Sequence, residues 1–435
     1  MLYLLTLAAI FLFFLIPAYL AFWWEERQAR KSLAKAQANG RNEPVSIRPW
    51  IDPAGCIGCG ACTRACPEGK VLRVLDGTAV VVEAASCVGH GACEAACPTG
   101  ALELVFGSER RGVEIPAISP DFESNVPGLF IAGELGGMGL IANAVEQGRQ
   151  VVEHIQRSRP TAPKGGLDLV IIGAGPAGIS AGLHAAEAGL SHLIVEQMEL
   201  GGAIRSYPRK KIVMSKGFEL PGVGVVPPGT LTKEELIDLF EQAAPMLELS
   251  VGERVTGISR VGGAFTVETD KRSLRSARVL MAIGRRGTPR RLGVPGEDSK
   301  KVAYRLLEPD EFEFAHVLVV GGGDSAVEAA CALAEVRGTR VSLSYRRQAI
   351  SRPKEANCQR LDDLVMAGKI DLYLSSEVIR IAGDRVALQT LDGEVVLAND
   401  QVFAFIGGSL PTALLTGAGI QIERHFGKRI EAVAS

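Results

Sequence analysis

The sequence has few aromatic residues, almost no net charge and few cysteines outside one short segment. Aromatic residues make up 6% of 435 positions, and 47 basic residues nearly balance 49 acidic ones. A nucleic-acid-binding protein would need a basic surface or an aromatic stacking platform, so this class is excluded. With 22% charged and 47% hydrophobic residues, the chain is not disordered in bulk. Its length predicts about three domains.

The cysteines are unevenly distributed. Seven of the nine lie between Cys56 and Cys97, and only Cys331 and Cys358 lie elsewhere. A secreted disulfide scaffold is usually a small chain with cysteines spread along it. The crowded spacing instead indicates metal clusters and a reducing compartment.

The first segment, residues 1–24, is almost wholly apolar. It is long enough to span about 30 Å of hydrocarbon as a helix. A cleaved signal peptide would carry a basic start and a small-residue cleavage site, and neither is present. Basic residues follow at once, which predicts that the bulk of the chain lies in the cytoplasm. We therefore expect a single-pass membrane anchor, followed by a linker over residues 25–48.

Two cysteine runs carry the most specific pattern of the sequence. The first has the spacing C-x2-C-x2-C-x3-C-P and consists of Cys56, Cys59, Cys62 and Cys66. This bacterial run holds cubane iron–sulfur clusters. The second run also ends at a proline and consists of Cys87, His90, Cys93 and Cys97, with the histidine at the place of a cysteine. Zinc, the alternative, would favour isolated cysteine pairs over two triplets each closed by Cys-Pro.

Residues 49–106 resemble a two-cluster ferredoxin, with a predicted hairpin between the two runs. In such ferredoxins the fourth cysteine of each run ligates the other cluster. The resemblance therefore implies a [4Fe-4S] cluster I on Cys56, Cys59, Cys62 and Cys97. Cluster II would be held by Cys66, Cys87 and Cys93. His90 would either complete it through its imidazole, as histidine does in Rieske centres, or lie in a solvated loop beside a [3Fe-4S] cluster.

A glycine-rich loop follows a strand predicted over residues 168–172. The loop precedes a predicted helix, and it contains the G-x-G-x-x-G fingerprint of dinucleotide-binding sites as Gly173, Gly175 and Gly178. The next predicted strand ends at Glu196, 23 residues after Gly173, which suits an acid that binds ribose hydroxyls. Strand, loop, helix, strand and acid in this order are a strong indication of a dinucleotide site, whereas the glycines alone are a weak one.

A second loop of the same kind follows a later strand. Its three fingerprint places are filled by Gly321, Gly323 and Ala326. Ser344 stands where an acid is expected, and three arginines come after it, Arg346, Arg347 and Arg352. Because arginine binds phosphate through paired hydrogen bonds, this pattern predicts the 2′-phosphate of NADPH, with NADH left open. The alternative is that these arginines form a solvated loop face.

Beyond about residue 110 the chain resembles the thioredoxin-reductase-like branch of the pyridine nucleotide–disulfide oxidoreductases. Residues 279–297 are similar to that family's crossover between its FAD and NADPH domains, and residues 400–411 to its return strand. The resemblance implies an α/β fold with two Rossmann-like dinucleotide-binding domains, one for FAD and one for NADPH. A small α+β two-cluster ferredoxin domain and one transmembrane helix would precede them. The resemblance also implies that the loop containing Gly202 carries flavin.

The sequence departs from this family in two places. The family's dithiol before the second nucleotide strand is absent. The family's last FAD segment is missing from the C-terminus, and residues 126–134 match it instead. Glu134 stands at the place of the family's flavin-binding aspartate, and Gly133 precedes it as a further cofactor-binding residue. We interpret this as a circular permutation, which neighbouring termini allow. The alternative is a separate strand–helix connector.

The predicted organisation follows from these motifs. It comprises an anchor (1–24), a linker (25–48), the ferredoxin domain (49–106), the permuted end of the FAD domain (110–156), a linker (157–166), the FAD domain (167–296), the NAD(P)H domain (297–397) and a return to the FAD domain (398–435).

The predicted function is a membrane-anchored oxidoreductase that moves electrons between NADPH, FAD and two iron–sulfur clusters. Cofactors carry this chemistry, so no acid–base side chain is nominated. The direction of electron flow stays open, as do the acceptor, either a redox partner protein or a quinone, and the existence of a homodimer. Alternatives are an electron-input unit resembling the glutamate synthase small subunit, a membrane-tethered redox sensor, and a disulfide reductase that uses Cys358.

Overall fold

The computed structural model describes residues 2–427, except residues 45, 111, 138, 159, 208, 210, 286–287 and 410. Side chains are described for these residues other than 2–12, 14, 18, 214, 288 and 409. The chain forms two compact units. The first comprises Met1–Val113 with His425–Ser435, and the second comprises Glu114–Arg424.

The first unit contains a long helix and a small α+β core. Its elements are α1 (Leu2–Ala38), β1 (Ile47–Ile51), α2 (Ala61–Ala65), β2 (Leu72–Leu75), β3 (Thr78–Val81), α3 (Ala92–Ala95) and β4 (Leu102–Phe106). Strand β1 pairs with β4, and β2 pairs with β3, both antiparallel. The β2–β3 pair confirms the predicted hairpin. Cys62 and Cys93 lie in the core of this unit, packed with Leu72 and Ala79.

Helix α1 continues through much of the predicted linker. Residues 25–38 are rich in alanine, lysine, arginine and glutamate, which are strong helix formers. Ala29 and Ala36 are buried, and Arg30 Nη2 lies 2.5 Å from Asp76 Oδ1 in the β2–β3 turn. The linker prediction therefore differs from the structure because these residues have helical propensity and one packed face.

The predicted membrane anchor finds no support in the described residues. Within that part of the chain, no helix is both long and apolar enough to cross a membrane. About half of the predicted anchor, residues 1–12 with 14 and 18, lies outside the described side chains.

The second unit contains two lobes, each built on a largely parallel sheet. The first lobe is formed by β5 (Val113–Pro116), β6 (Leu129–Ile131), α4 (Ile141–Arg157), β7 (Leu167–Ile172), α5 (Pro176–Glu187), β8 (His192–Glu196), β9 (Ile212–Ser215), β10 (Phe218–Leu220), β11 (Gly224–Val226), β12 (Gly229–Thr232), α6 (Lys233–Ala243), β13 (Leu249–Val251), β14 (Val255–Val261), β15 (Ala264–Thr269) and β16 (Ser273–Met281). Its main sheet has the order β13-β8-β7-β16-β15-β14, and β6 pairs with β16.

The short strand β6 joins this sheet in parallel, with Leu129 opposite Val279 and Ile131 opposite Met281. Helices α4, α5 and α6 cover one face of the sheet and contribute to one large apolar core. Residues 129–157 therefore supply a strand and a helix to a sheet whose other strands come later in the sequence.

The second lobe and the end of the chain contain β17 (Thr288–Pro289), β18 (Val302–Ala303), β19 (His316–Val320), α7 (Asp324–Ala334), β20 (Arg340–Tyr345), α8 (Glu355–Met366), β21 (Ile370–Leu374), β22 (Glu377–Ile381), β23 (Arg385–Thr390), β24 (Gly393–Ala398), β25 (Gln401–Ala404), β26 (Gly408–Ser409), α9 (Thr412–Gly417) and β27 (Ile422–His425). The parallel sheet has the order β18-β25-β19-β20-β21, and β22-β23-β24 form an antiparallel sheet.

Strand β25 corrects the predicted return to the first lobe. It pairs with β18 and β19, so residues 401–404 belong to the second sheet. The physical reason is that Phe403 is buried in the core of the second lobe. The return comes later, since Leu415 and Ile420 are buried against the first sheet.

Candidate cofactor sites

Two cavities of the first unit are each lined by one of the predicted ligand sets. One cavity is lined by residues that include Cys56, Cys59, Cys62 and Cys97. The other is lined by residues that include Cys66, Cys87, His90 and Cys93. The fourth cysteine of each run thus lies with the other run's residues.

Glycines shape the loop around the first cavity. Gly58 has a φ of 65°, and a Cβ added to it would lie 2.1 Å from the carbonyl oxygen of Gly77 in the β2–β3 turn. Only glycine allows this approach, because the conformation is left-handed and the space is filled by backbone. The backbone N–H of Ala79 donates to Cys56 Sγ at 3.4 Å, a contact that stabilises a thiolate ligand.

The thiols of the second cavity are strongly desolvated. Burial raises the pKa of Cys87 to about 12 and that of Cys93 to about 11, and the charge of Cys66 acts in the same direction on both. Free thiols here would stay protonated at neutral pH, whereas cluster ligation requires the thiolate form. The thiolates of Cys87 and Cys93 would be stabilised by the positive charge of an iron centre, because their apolar surroundings do not stabilise them.

The thiol arrangement differs from a site for one metal ion. Zinc places each sulfur about 2.3 Å from a single ion, so its four ligands crowd together. In the part of the chain that the structure describes, no three histidine, cysteine or acidic residues form such a group. The cysteines instead line two separate cavities, and their donor set fits cage-like iron–sulfur clusters.

The first glycine-rich loop lies at the carboxyl ends of β7 and β16. A Cβ added to Gly178 would lie 1.9 Å from the carbonyl oxygen of Gly173. Gly173 has a φ of 103°, and its own added Cβ would lie 2.7 Å from the carbonyl oxygen of Ala282. These close approaches require glycine and leave the start of α5 open for an anion, the arrangement used for dinucleotide pyrophosphates.

Glu196 ends β8 beside this loop and is 6% exposed. Its Oε2 accepts a hydrogen bond from Ala174 N at 2.8 Å, and its Oε1 accepts one from Met198 N at 2.8 Å. The carboxylate is therefore fixed in orientation and keeps further lone pairs for ribose hydroxyls. Gly202 also meets the loop, since its added Cβ would lie 3.1 Å from Gly175 Cα.

The segment after β6 reaches the same edge of the sheet. Gly133 N donates to Gln147 Oε1 of α4 at 2.7 Å, which fixes the turn between strand and helix. The next residue, Glu134, lies near the loop after β16, because a Cβ added to Gly284 would be 3.9 Å from Glu134 Oε2. The structure thus brings Glu134 to the sheet edge that holds the glycine loop, although 39 residues separate it from Gly173.

The second glycine loop has the same local construction in the other lobe. Gly321 has a φ of 143°, and its added Cβ would lie 2.4 Å from the carbonyl oxygen of Phe405. Gly323 precedes α7, and nothing lies within 4 Å of its added Cβ. Ala326 is fully buried on α7, where a larger side chain would separate helix and sheet.

The three arginines lie after β20. Arg346 and Arg347 are exposed, and Arg352 is partly buried. Burial lowers the pKa of Arg352, and the charges of Arg347 and Arg346 lower it further while Tyr345 opposes them. The guanidinium groups are thus close enough to repel one another, which favours binding of an anion. Ser344 is buried and its Oγ lies 2.7 Å from Ser376 Oγ, so it does not replace the missing acid.

The comparisons with known proteins cover both units. Residues 170–429 match the family model described as pyridine nucleotide-disulphide oxidoreductase, and residues 48–98 match the model of a 4Fe-4S dicluster domain. The chain is 32% identical to a ferredoxin–NADP reductase of Thermus thermophilus over 272 residues, which are 59% of this chain and 78% of the relative. A ferredoxin–NADP reductase of Ignicoccus hospitalis is 32% identical over 56% of this chain and 78% of its own length.

Solved structures show the same fold. The bacillithiol disulfide reductase of Staphylococcus aureus superimposes with a TM-score of 0.54 and 27% identity, covering 59% of this chain and 81% of that structure. The Bacillus cereus protein of that name gives a TM-score of 0.54 and 27% identity, covering 59% of this chain and 82% of its own. The chain therefore belongs to the pyridine nucleotide-disulphide oxidoreductase family, as a flavin oxidoreductase that carries a 4Fe-4S domain.

Proposed function

We propose that this protein exchanges electrons between NADPH and its own two iron–sulfur clusters by way of FAD. Relatives named ferredoxin–NADP reductase align with its second unit, and its first unit matches a dicluster domain. The observation that carries the proposal is the presence of two cysteine-lined cavities and two glycine loops in one chain. The chain would thus combine a reductase with a built-in ferredoxin.

The two cysteines of the second unit favour electron transfer from the flavin to the clusters over transfer to a dithiol. Cys331 is 1% exposed in the core of the second lobe, and burial raises its pKa to about 11. Cys358 lies on α8, and its Sγ donates to the carbonyl oxygens of Pro353 and Ile350. Neither of the two forms a disulfide. Disulfide reduction by this chain would need a second reactive thiol near one of them, so the Cys358 alternative is disfavoured.

The residues of the first lobe fit FAD. The start of α5 and the glycine loop would hold the pyrophosphate, Glu196 the adenosine ribose, and Glu134 the ribityl chain. When bound, FAD accepts a hydride from a nicotinamide and releases single electrons of the kind that iron–sulfur clusters carry. The protein contributes binding and orientation, and it excludes water through the buried strand ends. The permuted order of the sequence is part of this proposal, supported by the pairing of β6 with β16.

The residues of the second lobe fit NADPH. Arg346, Arg347 and Arg352 would take the 2′-phosphate, whose charge a guanidinium pair binds more strongly than the hydroxyl of NADH. The absence of an acid at Ser344 removes the repulsion that would otherwise reject this phosphate.

The location of the chain at a membrane remains a proposal from its sequence. It rests on the apolar composition of residues 1–24 and on the exposure of Trp23 and Trp24, at 48% and 59%. Fractionation of cells that express the full chain, or a chain lacking residues 1–24, tests it: only the full chain should sediment with membranes. The electron acceptor would be a partner protein or a quinone, and the assembly would be a monomer or a homodimer.

The central experiment follows the cofactors of the full chain under anaerobic conditions. Reconstituted protein is mixed with NADPH, and flavin absorbance and the electron paramagnetic resonance of the clusters are recorded together. We expect both to be reduced, with repeated turnover when a one-electron acceptor is added. The matched control is Cys59→Ser with Cys93→Ser, which should leave flavin reduction intact and remove the cluster signals. Clusters that stay oxidised beside fully reduced flavin would refute the proposal, and a single reduction without turnover would favour the sensor.

A further inference from the structure

The carboxyl ends of four strands meet at one edge of the first sheet. Ala174, after β7, donates to the carboxylate of Glu196 at the end of β8. Ala282, after β16, donates to the carbonyl of Ile172 at 2.8 Å, and Ala132, after β6, donates to that of Met281 at 3.1 Å. Because β16 lies between β7 and β6, residues that follow β16 lie between the glycine loop and Glu134.

Arg285 is a cation at this position. It follows the end of β16 by four residues, and its Nη2 donates to the carbonyl oxygen of Glu114 at 2.8 Å. Its side chain is partly buried. Burial lowers the pKa of Arg285, and the charges of Glu134 and Glu114 offset this in part.

A half-buried guanidinium with one neutral acceptor keeps most of its hydrogen-bonding capacity. Arginine has five N–H donors in a planar fork, and phosphate oxygens match that fork in pairs. Removing such a group from water is costly unless an anion compensates it. The glycine loop at the same sheet edge is the proposed place of the dinucleotide pyrophosphate, which carries negative charge that the oxidised flavin ring lacks.

We propose that Arg285 binds the pyrophosphate of FAD, a role that rests on the FAD site proposed above. It supplies the positive side-chain charge that the glycine loop does not have, and it balances the carboxylates of Glu134 and Glu196 at the same edge. Arg285 lies far along the chain from Gly173, Gly175 and Gly178, so the motif of the first glycine loop does not include it.

The proposal makes a specific thermodynamic prediction. A residue that binds only the pyrophosphate stabilises oxidised and reduced FAD equally, because the redox change is confined to the flavin ring. Its loss should lower FAD affinity and leave the midpoint potential of the bound flavin unchanged, since potential depends on the ratio of the two affinities. A contact to the flavin ring would change that ratio.

The test measures FAD dissociation from the full chain by flavin fluorescence and the midpoint potential by anaerobic titration. Arg285→Ala should weaken FAD binding by about 10- to 100-fold, and Arg285→Lys, which keeps the charge, should retain part of the affinity. The matched control is Arg290→Ala, an exposed arginine in the same segment, which should bind FAD like the unmodified chain.

The outcomes separate this inference from the proposed function. An unmodified chain that binds no FAD would refute the function itself. Equal FAD affinity in Arg285→Ala and the unmodified chain would overturn the role of Arg285 alone. A shifted midpoint potential with unchanged affinity for oxidised FAD would assign Arg285 to the flavin ring and overturn the pyrophosphate contact. Circular dichroism identifies a variant that fails to fold, in which case Arg285→Lys decides.

Discussion

The contact between α4 and α5 predicts that Gly148→Ala destabilises the first lobe. A Cβ at Gly148 would lie 2.3 Å from the carbonyl oxygen of Ala177, 3.0 Å from Ala181 N and 3.1 Å from Ser180 Cβ. Ser180 Oγ also donates across this interface to the carbonyl of Val145 at 2.7 Å. The first two obstructing atoms belong to the backbone, so no rotamer change relieves the overlap and the helices must separate by about 1 Å.

The expected loss in free energy of unfolding is the difference between two opposing contributions. Overpacking a rigid interface costs about 1–3 kcal/mol. Alanine gains back about 1 kcal/mol over glycine within a helix. Because backbone atoms obstruct the added methyl group, the overpacking cost should lie at its upper end, and the net loss should be about 1–2 kcal/mol. That corresponds to a fall in Tm of roughly 2–8 °C for a domain of this size class.

The assay is thermal unfolding of the full chain followed by circular dichroism, with FAD retention as a second readout. Retention should fall as well, because Gln147 beside Gly148 holds Gly133 in the turn that carries Glu134. The control is Gly417→Ala at the end of α9, where nothing lies within 4 Å of the added Cβ, and it should be neutral or stabilising. A Gly148→Ala protein as stable as the unmodified chain would refute the packing of residues 141–157 on α5.

Three further predictions address the clusters, the nucleotide and pH. Cys59→Ala should abolish one cluster signal in electron paramagnetic resonance and leave FAD bound, and retention of both signals would contradict the ligand assignment. Arg346→Ala with Arg347→Ala should weaken NADPH binding by about tenfold or more while NADH binding changes little, as measured by titration of flavin reduction. Equal effects on both nucleotides would exclude these arginines from the 2′-phosphate site. Hydrogen bonds from Arg272 lower the pKa of buried Glu253 from 4.5 to about 2, so its contribution to stability should be complete above about pH 4.5 and lost as the pH falls towards 2. In Glu253→Gln, the free energy of unfolding should depend less on pH below about 4.5. An unchanged pH dependence would show that other groups control it.

The sequence was informative where one short segment contains a whole chemical motif. The cysteine spacing predicted two groups of residues, and each group lines one cavity, because steps of three residues fit a tight loop. Their role as cluster ligands stays a prediction. The glycine loops were equally readable, since only glycine permits the approach of Gly178 to the carbonyl of Gly173. The match of residues 170–429 to the reductase family agrees with that interpretation.

The sequence was less informative about where elements begin, end and pair. Strand β25 has a continuous apolar run, Val402 to Ala404, that would suit either sheet, and only its pairing with β18 and β19 assigned it to the second lobe. The predicted linker was helical to Ala38 because alanine and charged residues that suit a solvated linker also favour a helix with a packed face.

Sequence alone thus determined the cofactor-binding motifs, whose residues are close in the chain and whose geometry follows from spacing and residue size. The tertiary structure decided which distant residues lie at the same edge of a sheet. Glu134 and Arg285 are 151 positions apart, and they reach one edge because β6 and β16 pair in parallel. Parallel pairing brings carboxyl ends together irrespective of sequence separation. A single sequence does not encode that proximity in any local pattern, so only the folded chain places Arg285 and Glu134 at one edge of the sheet.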